Sequence, residues 1–126
     1  MNRFLFAVAL VFSLSAPAFA QQLTPDAYLK QSQAIAIRVQ QQLIDCWNVP
    51  EGAEGLRIAL DVGFFGNGQL DGTAVIPAES LKQASKYPVL AESVLRAVSD
   101  CTPFTGLEEL GAGTMERFSI TVYFQS

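Results

Sequence analysis

Histidine is absent from the 126 residues. Nucleophilic machinery of the Ser-His-Asp or Cys-His kind needs an imidazole, so both are excluded. Cysteine is almost as scarce, with only Cys46 and Cys101 present. Two distant cysteines and scattered carboxylates do not assemble a four-ligand zinc site. A redox centre usually brings its thiols together as C-x-x-C, and no such pair occurs. Basic residues are few as well, 8 Lys plus Arg against 12 Asp plus Glu, and they form no run. Nucleic acid and anionic lipid both demand clustered cations, so neither is expected as a partner.

Long apolar runs are missing beyond the first residues. Arg3 precedes the apolar stretch Leu5–Leu14, and Ala18-Phe19-Ala20 forms a small-x-small cleavage pattern before Gln21. Residues 1–20 therefore read as a secretory signal peptide, too short in its apolar part for the ~20 residues that span a bilayer. No cysteine follows the cleavage pattern, so no lipid anchor is expected. The expectation is a secreted protein with one domain over residues 21–126 and no membrane association after cleavage. Loss of Arg3 makes that domain still more acidic than the formal charge of −4.

What remains carries clear periodicity. Thr24-Pro25-Asp26 has the chemistry of a helix start, with Thr24 as cap and Pro25 at the first helical position. The spacing of Tyr28, Ile35, Val39, Leu43 and Cys46 predicts a helix running to Cys46, while the glutamines at 31, 33, 40, 41 and 42 mostly face solvent. Ile37 and Ile44 fall on the opposite side, either as ordinary exposed apolar residues, the preferred reading, or as a second contact surface. Leu56, Ile58, Leu60, Val62 and Phe64 alternate with Arg57, Ala59, Asp61, Gly63 and Phe65, the period of a strand with one buried face. Gly66-Asn67-Gly68 supplies hairpin-turn chemistry. A weaker return strand is expected over Gln69–Ile76, limited by Asp71-Gly72 and ended by Pro77. Residues 78–86 read either as a helical turn or as an exposed connection. Pro88 opens a second helix whose stripe is Leu90, Ala91, Val94, Ala97, Val98 and Cys101. Thr102–Glu116 reads as a loop with at most one helical turn. Phe118, Ile120, Val122 and Phe124 then alternate with Arg117, Ser119, Thr121 and Tyr123 in the last strand.

The order predicts an α+β fold, α-β-β-α-β, with a three-stranded antiparallel sheet covered on one face by two helices. Pairing of the last strand beside the first would complete a split β-α-β unit and leave strand 117–124 as an edge. Both cysteines sit at helix ends facing the core, so a structural disulfide Cys46–Cys101 is expected in an oxidising compartment. An edge strand presents unpaired backbone groups, which makes Arg117, Ser119, Thr121 and Tyr123 the candidate partner-binding residues.

No catalytic residue is expected, and no cofactor. Glu108-Glu109 reads as a solvated pair, Ser80-x-Lys82 and Ser85-Lys86 lie in a polar connector without an oxyanion element, and Gly66-x-Gly68 is too short for a phosphate loop.

Cys46-Trp47-Asn48-Val49-Pro50, Gly66-Asn67-Gly68-Gln69-Leu70, Glu92-Ser93-x-x-Arg96-Ala97-Val98 and Cys101-Thr102-Pro103-Phe104 stand in an order that resembles the TolA C-terminal domain over roughly residues 25–126. The TonB C-terminal domain is more distantly similar. The resemblance implies a periplasmic, disulfide-bonded module of the Tol-Pal cell-envelope system that binds a partner protein such as TolB. The chain ends without the proline expected after the terminal aromatic of that family. The membrane helix and spacer of TolA have no counterpart here, so partner binding is the expectation and force transduction is not. A small periplasmic ligand-binding or inhibitor protein is the alternative, and it would carry a closed apolar pocket between helix and sheet.

Overall fold

The computed structural model describes residues 23–126; the signal peptide expected over residues 1–20 lies outside them. The chain divides into two units, Met1–Gln31 and Ser32–Ser126. In the first, Thr24 accepts a hydrogen bond at Oγ1 from the Ala27 N–H at 3.1 Å, the side-chain cap that its position predicts for helix α1 (Pro25–Cys46). Tyr28, expected on the buried stripe, is 49% exposed. The fully buried positions of α1 begin at Ile35 and continue with Val39 and Leu43, one apolar residue per turn.

In the second unit, β1 (Arg57–Phe65) pairs antiparallel with β2 (Arg117–Gln125), with Arg57 opposite Gln125, Asp61 opposite Thr121 and Phe65 opposite Arg117. Two short helical segments precede the last long helix: a 3-10 turn over Ala78–Ser80, then α2 (Leu81–Lys86), which resolves residues 78–86 as helical. Helix α3 (Pro88–Cys101) has its proline in the first turn, where no N–H is needed. A single 3-10 turn, Glu108–Leu110, interrupts the loop before β2.

The expected three-stranded sheet with two helices is not what forms. Among the described residues the sheet has two strands, and three α-helices accompany it. Residues 69–76 touch β1 only at two isolated bridges, Phe64 to Leu70 and Asp61 to Val75. Two residues of β1 separate those bridges, but four residues, Asp71-Gly72-Thr73-Ala74, separate them on the other side. The mismatch breaks the ladder. Gly72 has φ +83°, a left-handed conformation outside the extended region of a regular strand. The turn itself forms as its sequence predicts, with the Gly68 N–H donating to the Phe65 carbonyl at 2.8 Å and the Asn67 side chain accepting from the Gln69 N–H at 3.0 Å. Apolar facing also survives the loss of strand geometry, because Leu70, Ala74 and Ile76 all pack against the core.

One face of the sheet is buried. Ile58, Leu60, Val62 and Phe64 of β1 and Val122 and Phe124 of β2 are wholly inaccessible and pack with Ile35, Val39, Leu43, Leu90, Val94, Ala97 and Val98 from the helices. Phe64 anchors one end of this layer, stacked on Phe118 at 5.4 Å and edge-on to Phe104 at 5.7 Å. Trp47 anchors the other. Its ring meets Phe124 edge-on at 5.3 Å, and its indole N–H donates to the Ser93 hydroxyl at 2.9 Å, which in turn donates to the Leu90 carbonyl. Cys46, beside Trp47, forms a disulfide with Cys101 across a Cα–Cα distance of 6.0 Å, so the ends of α1 and α3 are covalently tied. Gln42 adds a polar tie: its amide donates to the Thr105 carbonyl at 2.9 Å and accepts from the Thr105 N–H at 3.0 Å. Its partial burial departs from the solvated role that its place among glutamines implies.

Candidate functional site

Strand alternation determines which backbone groups remain open. Asp61 and Val75 exchange both hydrogen bonds, at 2.7 and 3.0 Å, so the backbone groups of odd-numbered β1 residues point away from β2. Even-numbered β1 residues therefore face β2, where they meet Phe118, Ile120, Val122 and Phe124. By the same alternation, the N–H and C=O groups of Arg117, Ser119, Thr121, Tyr123 and Gln125 point outward from β2. Those are the four residues that the sequence singles out, plus the last residue of the strand.

The far edge of β1 is covered at most of its outward groups. Phe65 N–H donates to the Gln69 carbonyl at 2.9 Å, and the Gly63 carbonyl accepts from Asp71 N–H at 2.8 Å. Beyond the Val75 bridge, the Ala59 N–H donates to the buried Ser80 hydroxyl at 2.9 Å, and the Gln83 amide donates to the Arg57 carbonyl at 3.3 Å. Two side chains thus stand where a third strand would continue. The residue 71 backbone runs close beside Gly63: an added Cβ would lie 3.1 Å from the Asp71 carbonyl oxygen, a tight approach.

The outer edge of β2 has no such cover. Among the described residues, none of its outward N–H or C=O groups has a hydrogen-bond partner. The strand also lacks the residues that usually blunt an edge: it contains no proline, glycine or lysine, and Arg117 at its first position is its only charge.

The side chains of the four predicted residues are exposed on the solvent face, and three of them are occupied within the molecule. Arg117 forms a two-pronged ion pair with Asp71, Nε to Oδ2 at 2.8 Å and Nη2 to Oδ1 at 3.0 Å. This contact holds the Asp71 carboxyl below its ordinary value of 3.8, chiefly through the hydrogen bonds from Arg117, and raises the guanidinium in return. Thr121 donates from Oγ1 to Asp61 at 2.7 Å. Tyr123 lies under the Arg57 guanidinium, 4.2 Å from ring centre to Cζ, with its hydroxyl 3.5 Å from Glu79. Ser119 sits opposite Gly63. The open chemistry of this edge is therefore in its main chain. On the inner face, Phe118 and Ile120 are only half-buried while Val122 and Phe124 are sealed.

Sequence reading missed the residues that seal the other edge. Asp61, Asp71, Ser80 and Gln83 carry no local signal, because each acts on a group distant in the chain. Among the described residues, no three His, Cys, Asp or Glu side chains gather as a metal site, and no helix is long and apolar enough to cross a membrane.

These features define an α+β domain whose two-stranded sheet is backed by helices, tied by one disulfide and open along a single strand. The chain belongs to the family described as Uncharacterised conserved protein UCP034077, whose model matches residues 30–126. No curated protein and no solved structure matches it. Nothing in these matches links the chain to the TolA C-terminal domain.

Proposed function

We propose that the protein is a periplasmic protein–protein interaction module that takes an extended partner segment as an added strand along the outer edge of β2. The observation that carries this reading is the row of outward N–H and C=O groups from Arg117 to Gln125, unpartnered among the described residues, whereas most outward groups of the β1 edge are covered. Strand addition draws its affinity from main-chain hydrogen bonds and its selectivity from alternate side chains. An added strand would place every second residue against half-buried Phe118 and Ile120, so an apolar residue at alternate positions is the expected signature of the partner. The resemblance of the cysteine segments to the TolA C-terminal domain supports a cell-envelope partner of the Tol-Pal type, such as TolB.

The rival reading, a ligand-binding or inhibitor protein built around a closed apolar pocket, finds less support. The space between helices and sheet is filled by Ile35, Val39, Leu43, Leu60, Val94 and Val122, all fully buried. A titration of the isotope-labelled protein with the N-terminal segment of TolB, monitored by amide chemical shifts, tests the proposal. Shifts concentrated at Ser119, Thr121 and Tyr123 are expected. Shifts confined to the helices, or none with this segment and with a panel of alternating apolar peptides, would overturn it.

A further inference from the structure

The same edge has a second possible occupant whose sequence is already known, namely β2 of another copy. In an antiparallel pairing across a two-fold axis at Thr121, every outward group finds its complement. Only odd-numbered residues offer outward hydrogen bonds, so an odd residue must oppose an odd residue. Centring on Thr121 meets that condition and uses all nine residues, Arg117 to Gln125. Arg117 then faces Gln125 of the second copy, Ser119 faces Tyr123, and Thr121 faces itself. No like charges are opposed, because Arg117 is the only charge in the strand. On the inner face, Phe118 comes beside Phe124 of the second copy and Ile120 beside Val122, which covers the two half-buried apolar residues of the open edge. Cross-strand aromatic and β-branched neighbours of this kind are favourable.

From this complementarity we infer that the chain forms a two-fold symmetric dimer through β2, joining two two-stranded sheets into one four-stranded sheet. The interface is isologous, so it closes at two copies and does not propagate. The inference rests on the reading of β2 as an addition edge and adds a regulatory consequence. The second copy masks the edge, and a foreign strand binds by displacing it.

Sedimentation velocity over a concentration series tests the dimer, and two substitutions at the axis test its location. Thr121→Lys sets two lysines directly opposite each other in the dimer but only one against a foreign strand, and Asp61 beside position 121 receives the added charge. Thr121→Pro removes the outward donor without touching the β1 ladder. The wild-type chain is expected to show a concentration-dependent doubling of mass. Thr121→Lys should weaken the association at least several-fold, and Thr121→Pro by about tenfold or more, through two lost hydrogen bonds. Far-ultraviolet circular dichroism reports whether each variant folds, and Thr121→Lys suffices if the proline variant does not. In a mixture of labelled and unlabelled chains, an Hα–Hα contact between Ile120 and Val122 of different copies should appear.

A chain that stays monomeric up to about 1 mM, or a dimer indifferent to Thr121→Lys, would overturn the inference. Peptide titration of the same samples separates the two readings. Peptide-induced shifts along β2 in a chain that never dimerises leave strand addition standing and refute self-pairing. A β2-mediated dimer that no peptide disturbs does the reverse.

Discussion

The two edges of the sheet have the same backbone and opposite fates. The far edge of β1 is covered by a broken return segment and two side chains, Ser80 and Gln83, which reach main-chain groups that a strand would otherwise satisfy. The outer edge of β2 receives nothing among the described residues. Buried backbone groups without partners cost free energy, so the protected edge can sit under the chain and the open one has to face water or another strand. The contrast teaches that coverage of a strand edge need not come from a strand.

The largest way to break this contrast is to remove what both edges share. The Cys46–Cys101 bridge closes a segment with a sequence separation of 55, for which the chain-entropy model gives about 4 kcal/mol. Replacing both cysteines by serine should lower the melting temperature steeply and level the stability of the two edges, as followed by thermal denaturation under oxidising conditions. Native-state hydrogen exchange sharpens the contrast in the intact protein. The amides of Ala59 and Asp61 should exchange roughly a hundredfold more slowly than those of Ser119 and Thr121, once each is corrected for its intrinsic rate. Should the chain dimerise through β2, dilution would be needed to reveal the difference.

A single hydroxyl gives the next effect. Ser80→Ala leaves the Ala59 N–H buried without its acceptor and should cost about 1–3 kcal/mol in chemical denaturation. Ser119→Ala on the open edge should change stability by no more than about 0.5 kcal/mol. Equal costs would mean that the edges are not different. The smallest effect concerns the ion pair that bridges the two sides of the sheet. Asp71 has a lowered pKa in the folded state, so its contribution is present above the ordinary carboxylate value of 3.8 and is lost as pH falls through the folded value. A carboxyl carbon titration should place the Asp71 midpoint below 3.8, and Arg117→Gln should return it towards that value.

Local periodicity made much of the scaffold legible. Alternation over residues 56–65 and 117–124 and helical spacing over 28–46 and 90–101 identify the elements, because burial on one side imposes the period of each structure on its sequence. The helix-end position of each cysteine likewise anticipates the bridge between Cys46 and Cys101, which forms. Residues 69–76 defeated the same logic. Leu70, Ala74 and Ile76 have the inward facing of a strand, yet the two extra residues between the bridges and the left-handed Gly72 prevent a ladder. Alternation reports which side chains are inward, and it does not report whether backbone groups are in register with a neighbour.

The sequence by itself determined the two long helices, the two long strands, the cysteine pairing and the candidate residues Arg117, Ser119, Thr121 and Tyr123, since each of these depends on patterns within one element or on a pair that had no other partner. Only the tertiary structure decided that the sheet stops at two strands, that Ser80 and Gln83 close its β1 side, and that Asp61, Asp71 and Arg57 engage the side chains of β2. Those outcomes depend on hydrogen bonds between groups remote in the chain, whose directions are fixed only when the strands are already side by side.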